Sequence, residues 1–522
     1  MSGRPGRTQR IPIDETPLNT PHPDIDARIG WLLAMSRLHH HDGSFEDGRR
    51  FAQALTEAGA PVSRSLLSRW EAGRIPISYE AMTAYETVLG LEVGQISSVT
   101  GYIRASIPSV RSRVIRPKLD PTSNGFADRL DDLIDTAEEG AASARDWQEL
   151  GWHLAAAPMV HLPRRTWEVL AQRLVDLLPR SVHVTYRQLS TAAMNMAMVP
   201  RAQDFLVEAI AAYVSDPAVQ VVSTPTGLLD RLPTRRAARL VLDIIDRPQS
   251  RRIYVAGVWV AAQKLVRGDF TPTERNELGM LVLREWRRDP VRAGQELAEL
   301  IGALPEGLRS MLVHAAEKAG RKRLGYLVEH GEDSVAGRAQ AYAEERATRA
   351  RNGVPSQGSY TDDRMLPRLI REAVFHRDSE RRHLAALLIS SSPFASAMAD
   401  ELLAEMSQGH SDRTRARLAT LNRYLAGESH RMRLMAFLDD PADGVAIPVA
   451  QSLGHVSLNV MSDHALRNSL GRNWSYREQA KLYALGMSGS PALRVLAESR
   501  DAPAWQQAAA RWWCTHGSAV SG

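Results

Sequence analysis

The feature that most constrains this chain is a recurrence. Ala- and Leu-rich helical stretches begin near Arg381 (RRHLAALLIS), Arg413 (RTRARLATLN), Asp443 (DGVAIPVAQSLG), Trp474 (WSYREQAKLYALG) and Ala504 (AWQQAAARWW), in steps of 32, 30, 31 and 30 residues. Each interval leaves room for a second helix, such as Phe394–Met406 or His430–Leu438. A single helix pair of this size cannot bury its own apolar stripe. Neighbouring pairs that stack share one core instead, so the period predicts an α-solenoid. An irregular helical bundle is the other arrangement open to the same helices.

Composition points the same way. The chain has 522 residues, too many for one core, and aromatics are only 6%. Ala, Leu and Arg dominate, and these lose little on entering a helix. Apolar patches such as Val219 to Val222 are too short to argue for a sheet, so the predicted fold class is all-α. Cys514 is the lone cysteine and reads as a half-buried thiol; it leaves no partner for a disulfide or a Cys-based metal site. No apolar run reaches membrane-spanning length, and MSGRPGRTQRIPIDETP has no secretory hydrophobic segment. The expectation is a soluble cytoplasmic protein without a cofactor and without a membrane partner.

Capping residues and breaks divide the chain. Residues 1–24 are rich in Pro, Thr and Arg and read as a disordered tail. From Asp24 a helix carries Ile25, Ile29, Leu32, Leu33 and Met35 on one stripe. Ser44, with Asp47 three residues on, opens a second helix; Ser63 caps a third that runs to Glu71; Ser78 caps a fourth; Val93–Tyr102 forms a short fifth. These make a domain over 25–103. A basic linker follows over 104–122, then one helical-repeat block over 123–351, with helices at Phe126–Glu139, Arg165–Leu178, Arg235–Ile245, Ile253–Val266 and Thr273–Trp286. A Gly/Ser-rich break at 352–362 precedes a second block over 363–522. In composition the two-helix units are similar to HEAT-like repeats, although their period is short for that class; the positions that define tetratricopeptide repeats are not evident.

One segment carries chemistry: VSRSLLSRWEAGRIPIS, Val62 to Ser78. On a helix capped at Ser63, Leu66, Leu67 and Trp70 fall on an inward stripe, while Arg64, Ser65, Ser68 and Arg69 project outward. Arg makes bidentate contacts to guanine, and Ser donates to or accepts from several base edges. Arg74, after Gly73, suits a phosphate, as do Arg49 and Arg50 on the preceding helix. Glu71 orders the following loop or pairs with an Arg. A capped amphipathic surface helix with a Ser/Arg-rich face is the bland alternative. The string Ser63, Arg64, Ser65, Leu66-Leu67, Ser68, Arg69, Trp70, Glu71, Gly73, Arg74, Pro76 resembles the recognition-helix region of the xenobiotic-response-element (XRE) family, also called lambda-repressor-like or Cro-like. That resemblance covers Ile25 to Ile103. It implies a five-helix helix-turn-helix domain that reads double-stranded DNA, with Ser63 among the contact residues. One departure stands out: seven residues separate Ala52 from Gly59, where the family usually has four, and Pro61 follows.

Charge qualifies that reading. The net charge is +5, and Arg104, Arg111, Arg113, Arg116 and Lys118 supply as much within Gly101–Leu119, which has no acid. Between Ile25 and Ile103, seven Arg stand against nine acids. DNA affinity would therefore rest on a few placed arginines, on the linker as an arm along phosphates or in a minor groove, and on dimerisation. The linker is otherwise a plain charged spacer. One short recognition helix reads few base pairs, so a homodimer is expected.

Catalytic patterns are missing: no phosphate loop, dinucleotide fingerprint, zinc-protease helix or nucleophile elbow is present, so the chain does not read as an enzyme. His39, His40 and His41 beside Asp42 diverge in direction and make a poor metal site. His153, His314 and His383 read as ordinary surface or core partners. Trp505, Trp512 and Trp513 read as core packing or, alternatively, a partner surface. The function expected is a sequence-specific, nucleoid-associated transcription regulator whose repeats dimerise and bind a peptide, small molecule or RNA polymerase. The alternative is a helical-repeat interaction scaffold, or polymerase-contacting activator, with the DNA-binding domain as a tether.

Overall fold

A computed structural model describes residues 9–20, 22–107, 116–289, 293, 296–315, 336–355, 360, 362–408, 411–456, 458 and 460–519. Among these residues the chain is all-α, with no strand beyond an isolated parallel bridge between Gln9 and Tyr360. It forms two compact units, both discontinuous in sequence. One comprises Met1–Pro117, Ser334–Leu470 and Ser475–Ala484; the other comprises Lys118–Asp333, Gly471–Trp474 and Leu485–Gly522.

The first unit begins with five helices: α1 (Ile25–Leu38), α2 (Gly48–Glu57), α3 (Arg64–Glu71), α4 (Tyr79–Val88) and α5 (Gln95–Ser106). Short polar side chains start four of them. Asp24, Asp47, Ser63 and Ser78 accept backbone N–H bonds from Ala27, Arg49, Leu66 and Ala81. The fifth is capped at a distance, by the buried Glu86 carboxylate, which accepts from the N–H groups of Gly94, Ile96 and Ser97 at 2.7–2.9 Å. The second helix does not open at Ser44. A short 3-10 turn, Gly43–Glu46, occupies that position, and Asp47 is the cap rather than its partner.

Every residue of α1 except Asp26 is buried. A helix buried all round must be covered on more than one side. Helices α3 and α5 pack on it, and a second cover comes from Glu372 on the helix Met365–Phe375, from Asp363 just before it and from Phe394. Arg28 of α1 donates to both Glu372 oxygens at 2.6 and 2.8 Å and to Asp14 at 2.7 Å. Trp31 Nε1 donates to Asp363 at 3.1 Å, and its ring stacks on Phe394. His383 lies between the Tyr102 and Tyr424 hydroxyls, 3.1 Å from each.

Residues 9–20 are consequently no disordered tail. Ile11 and Asp14 are buried, and Arg368, His376 and Arg381 bond the carbonyls of Asp14, Leu18 and Thr20. The boundaries at 103 and at 352 also shift. The N-terminal helices and much of the second block form one unit, because α1 has charged and aromatic partners on both sides of it. The expected break at 352 does coincide with the end of the helix Ala336–Asn352, but the unit boundary lies before that helix, at Ser334.

The recurring helices start at Ser379, Asp412, Asp443, Tyr476 and Ala504, each within two residues of the sequence expectation. Neighbours pack on one another as helical repeats, with Met365–Phe375 against Ser379–Ser390 and Asp412–Leu425 against Asp443–Leu453. In the second unit, Ala144–Ala156 packs on His183–Ala197 closely enough that a Cβ at Gly151 would lie 2.8 Å from the Ala192 Cα. Trp167, Leu170, Leu189, Val241 and Ile301 belong to its shared core. Near its C-terminal end Trp513 lies against Gly486, and Trp512 is also buried, so this pair is core. Cys514 follows on the outer face and is exposed, not half-buried.

Candidate nucleic-acid interface

Helix α3 is held from beneath by three devices. Leu67 and Trp70 enter the core. Gly30 of α1 and Gly73 meet backbone to backbone: a Cβ on Gly73 would lie 2.6 Å from the Ala27 Cα, and one on Gly30 would lie 2.7 Å from the Gly73 nitrogen. Gly73 also has φ +65°, a conformation that suits glycine and ends the helix. Third, Arg37 of α1 grips both Glu71 oxygens, at 2.6 and 2.8 Å. Gln9 spans that pair, donating to Glu71 at 2.7 Å and accepting from Arg37. The Tyr85 hydroxyl donates to Glu71 at 3.1 Å; burial, reinforced by the Glu71 charge, pushes its pKa well above the ordinary phenol value. It stays neutral and serves as a donor. Glu71 thus pairs with an arginine, as its chemistry allows.

The opposite face of α3 is bare. Ser63, Arg64, Ser65, Ser68 and Arg69 are exposed, with the Ser63 hydroxyl accepting from the Leu66 N–H at 3.1 Å; Arg74 is exposed beyond Gly73. Arg49 and Arg50 are exposed on the first turn of α2. They adjoin Gly48, where a Cβ would lie 3.6 Å from Leu67 Cδ2, so that turn abuts the middle of α3. The α2–α3 turn is set by Thr56, whose Oγ1 accepts from the Val62 N–H at 3.1 Å, and by Gly59 at φ +91°.

Charge placement qualifies the acidic balance. Of the seven arginines between 25 and 103, Arg28 and Arg37 are buried in ion pairs. The other five, Arg49, Arg50, Arg64, Arg69 and Arg74, are all exposed and make no ion pair among the described residues. Three of the nine acids are engaged internally: Glu71 by Arg37, Glu86 by the α5 N-terminus and Asp26 by Arg104. Asp42 and Asp47 cap local turns. Six acids, Asp42, Glu46, Asp47, Glu57, Glu80 and Glu92, stay exposed, so the surface balance is still slightly acidic; what is distinctive is that the five exposed arginines are confined to α2, α3 and the residue after Gly73.

Arg104 is not a linker residue. It lies in α5, fully buried, and its guanidinium pairs with Asp26. Arg111 and Arg113 lie outside the described residues, while Arg116 and Lys118 are exposed. No group of three His, Cys, Asp or Glu that could hold a metal occurs among the described residues. His39 is engaged instead by the Pro355 carbonyl at 3.0 Å and the Tyr360 hydroxyl at 3.1 Å. Sequence reasoning missed Gln9, Asp14 and Gly30, whose roles depend on partners far along the chain. No helix among the described residues is long and apolar enough to cross a membrane.

No known protein family matches the sequence, and no curated protein matches it. Among solved structures, the chain is similar to a microtubule polymerase with an array of tumor overexpressed gene (TOG) domains, described in connection with tubulin recruitment and assembly. The two share 10% identity over 84% of this chain and 98% of that one, with a TM-score of 0.21.

Proposed function

We propose that this helical-repeat protein reads double-stranded DNA through α3 and acts as a sequence-specific regulator, not as an enzyme. One observation carries the proposal: every unpaired arginine of the five-helix region lies on α2, on α3 or directly after it. In this reading Arg64, Ser65, Ser68 and Arg69 face base edges, and Arg49, Arg50 and Arg74 face phosphates. A homodimer would double the site read. The test is selection of duplexes from a random pool by the full-length protein, followed by the triple variant Arg64→Ala, Ser68→Ala, Arg69→Ala. Selectivity is expected to vanish while the melting temperature holds. Selective binding that survives the triple variant would sink the proposal.

A second reading is favoured by how much of the chain is helical repeat and by how the five helices are built into it. Here the repeats bind a protein partner and the α3 face serves as a tether. In that case the triple variant would leave partner capture intact and lose only localisation on DNA.

A further inference from the structure

Residues 9–20 touch both the base of α3 and the helical repeats of the same unit. At one end the Gln9 side chain sits on the buried Arg37–Glu71 pair, donating to Glu71 at 2.7 Å and accepting from Arg37. The Gln9 backbone makes the parallel bridge to Tyr360, shortly before the helix Met365–Phe375. One residue therefore meets the last residue of α3 and the approach to the repeats. Further along, the Asp14 carboxylate accepts from Arg28 at 2.7 Å and its carbonyl accepts from Arg368 at 2.6 Å. The carbonyls of Leu18 and Thr20 accept from His376 at 2.9 Å and from Arg381 at 3.0 Å. Bonds to carbonyls fix the path of the chain, and Pro12 and Pro17 lock φ at two points along it. Such a segment absorbs a displacement less readily than a free coil.

The Gln9 contact is not needed to neutralise Glu71. Arg37 already donates to both carboxylate oxygens and Tyr85 to one of them. What Gln9 adds is a connection to Tyr360. We propose that residues 9–20 act as a strap by which the repeats set the seat of α3, with Gln9 as the positioning residue. Helix α3 has only eight residues and Glu71 is its last, so a displacement passed to Glu71 moves the turn next to Gly73 and tilts the helix. A shift of Met365–Phe375 or Ser379–Ser390 thus changes duplex affinity while the base-reading side chains stay as they are. That consequence for DNA rests on the reading role of α3; the mechanical link does not.

The test is hydrogen–deuterium exchange of the full-length protein, with the helix Asp443–Leu453 of the same unit as internal reference. Gln9→Ala is expected to speed exchange across residues 64–74 about tenfold, the loss of one bond to a charged group, with the reference unchanged. Two variants act on the strap away from α3. The double variant Pro12→Gly, Pro17→Gly slackens it without removing a donor, and Arg368→Ala frees the Asp14 carbonyl. Each is expected to speed exchange in 64–74 in the wild-type background and to add nothing to Gln9→Ala, because the effect passes through that residue. Unchanged exchange in 64–74, an equal rise in the reference helix, or additive effects would each overturn the proposal. The same variants are then titrated with a duplex that the wild type has selected from a random pool. Weaker binding with unchanged base preference is expected; faster exchange at unchanged affinity would overturn the regulatory consequence. A wild-type protein that selects no duplex would overturn the reading role of α3, and exchange alone would then decide the strap.

Discussion

Arg37 and Glu71 are two charges taken almost wholly out of water, and their value to the fold depends on each having the other. Removing one partner leaves the other buried and unpaired, which costs about 3–5 kcal/mol. Arg37→Ala is therefore expected to lower the unfolding free energy of the first unit, obtained by chemical denaturation, by that amount; a loss under about 1 kcal/mol would mean that Gln9 and Tyr85 suffice to hold Glu71. Gly73→Ala meets a different obstacle, since its Cβ would overlap the α1 backbone at a left-handed φ. It is expected to destabilise by more than the ~1–2 kcal/mol of the backbone conformation alone, and to weaken duplex binding by displacing α3. At this scale the sequence was partly legible. Ser63 as a cap, Gly73 as a stop and Leu67 and Trp70 as inward residues follow from local rules. The partners Gly30, Arg37 and Gln9 do not, because nothing local marks a contact made across dozens of residues.

Helix α1 shows the same division one level up. Its apolar stripe was readable, but its other face carries Arg28 and Trp31, whose partners Glu372 and Asp363 lie 344 and 332 positions further along the chain. Burial raises the Glu372 carboxyl, yet Arg28 and Arg381 together hold it well below the usual carboxylate range. Two histidines seal this seam as neutral rings. His376 donates from Nε2 to the Leu18 carbonyl at 2.9 Å and accepts from the Asp378 N–H at 3.0 Å; His39 is similarly engaged at both nitrogens. Burial lowers the pKa of each from the ordinary 6.5, against the opposing pull of Asp378 on His376 and of the Pro355 carbonyl on His39. With the folded value below the unfolded one, the unfolded chain takes up more protons as pH falls past 6.5. Stability is complete above that point and is lost below it. Urea midpoints are expected to fall between about pH 6.5 and 5, and His376→Gln to flatten the decline. A flat wild-type profile would contradict the seam's role.

The whole molecule is where sequence order and spatial order part company. A period near thirty residues made the helical repeats legible, because periodicity survives in a linear string. The partition into units did not, since the salt bridge between Arg28 and Glu372 joins segments separated by the whole of Lys118–Asp333. An isolated fragment Ile25–Ile103 is accordingly expected to lack a stable fold by circular dichroism and proton dispersion, having lost Asp14, Asp363, Glu372 and Phe394 at once. A well-folded fragment would restore the view of a tethered domain. The same discontinuity sets a timetable for synthesis. At ~5–20 residues per second, the ribosome needs on the order of 10 to 50 s to pass from α5 to the helix that bears Glu372. For that interval α1 has left the exit tunnel with Arg28 lacking Glu372 and Trp31 uncovered, a newborn surface fit for chaperone attention until the later half of its own unit arrives.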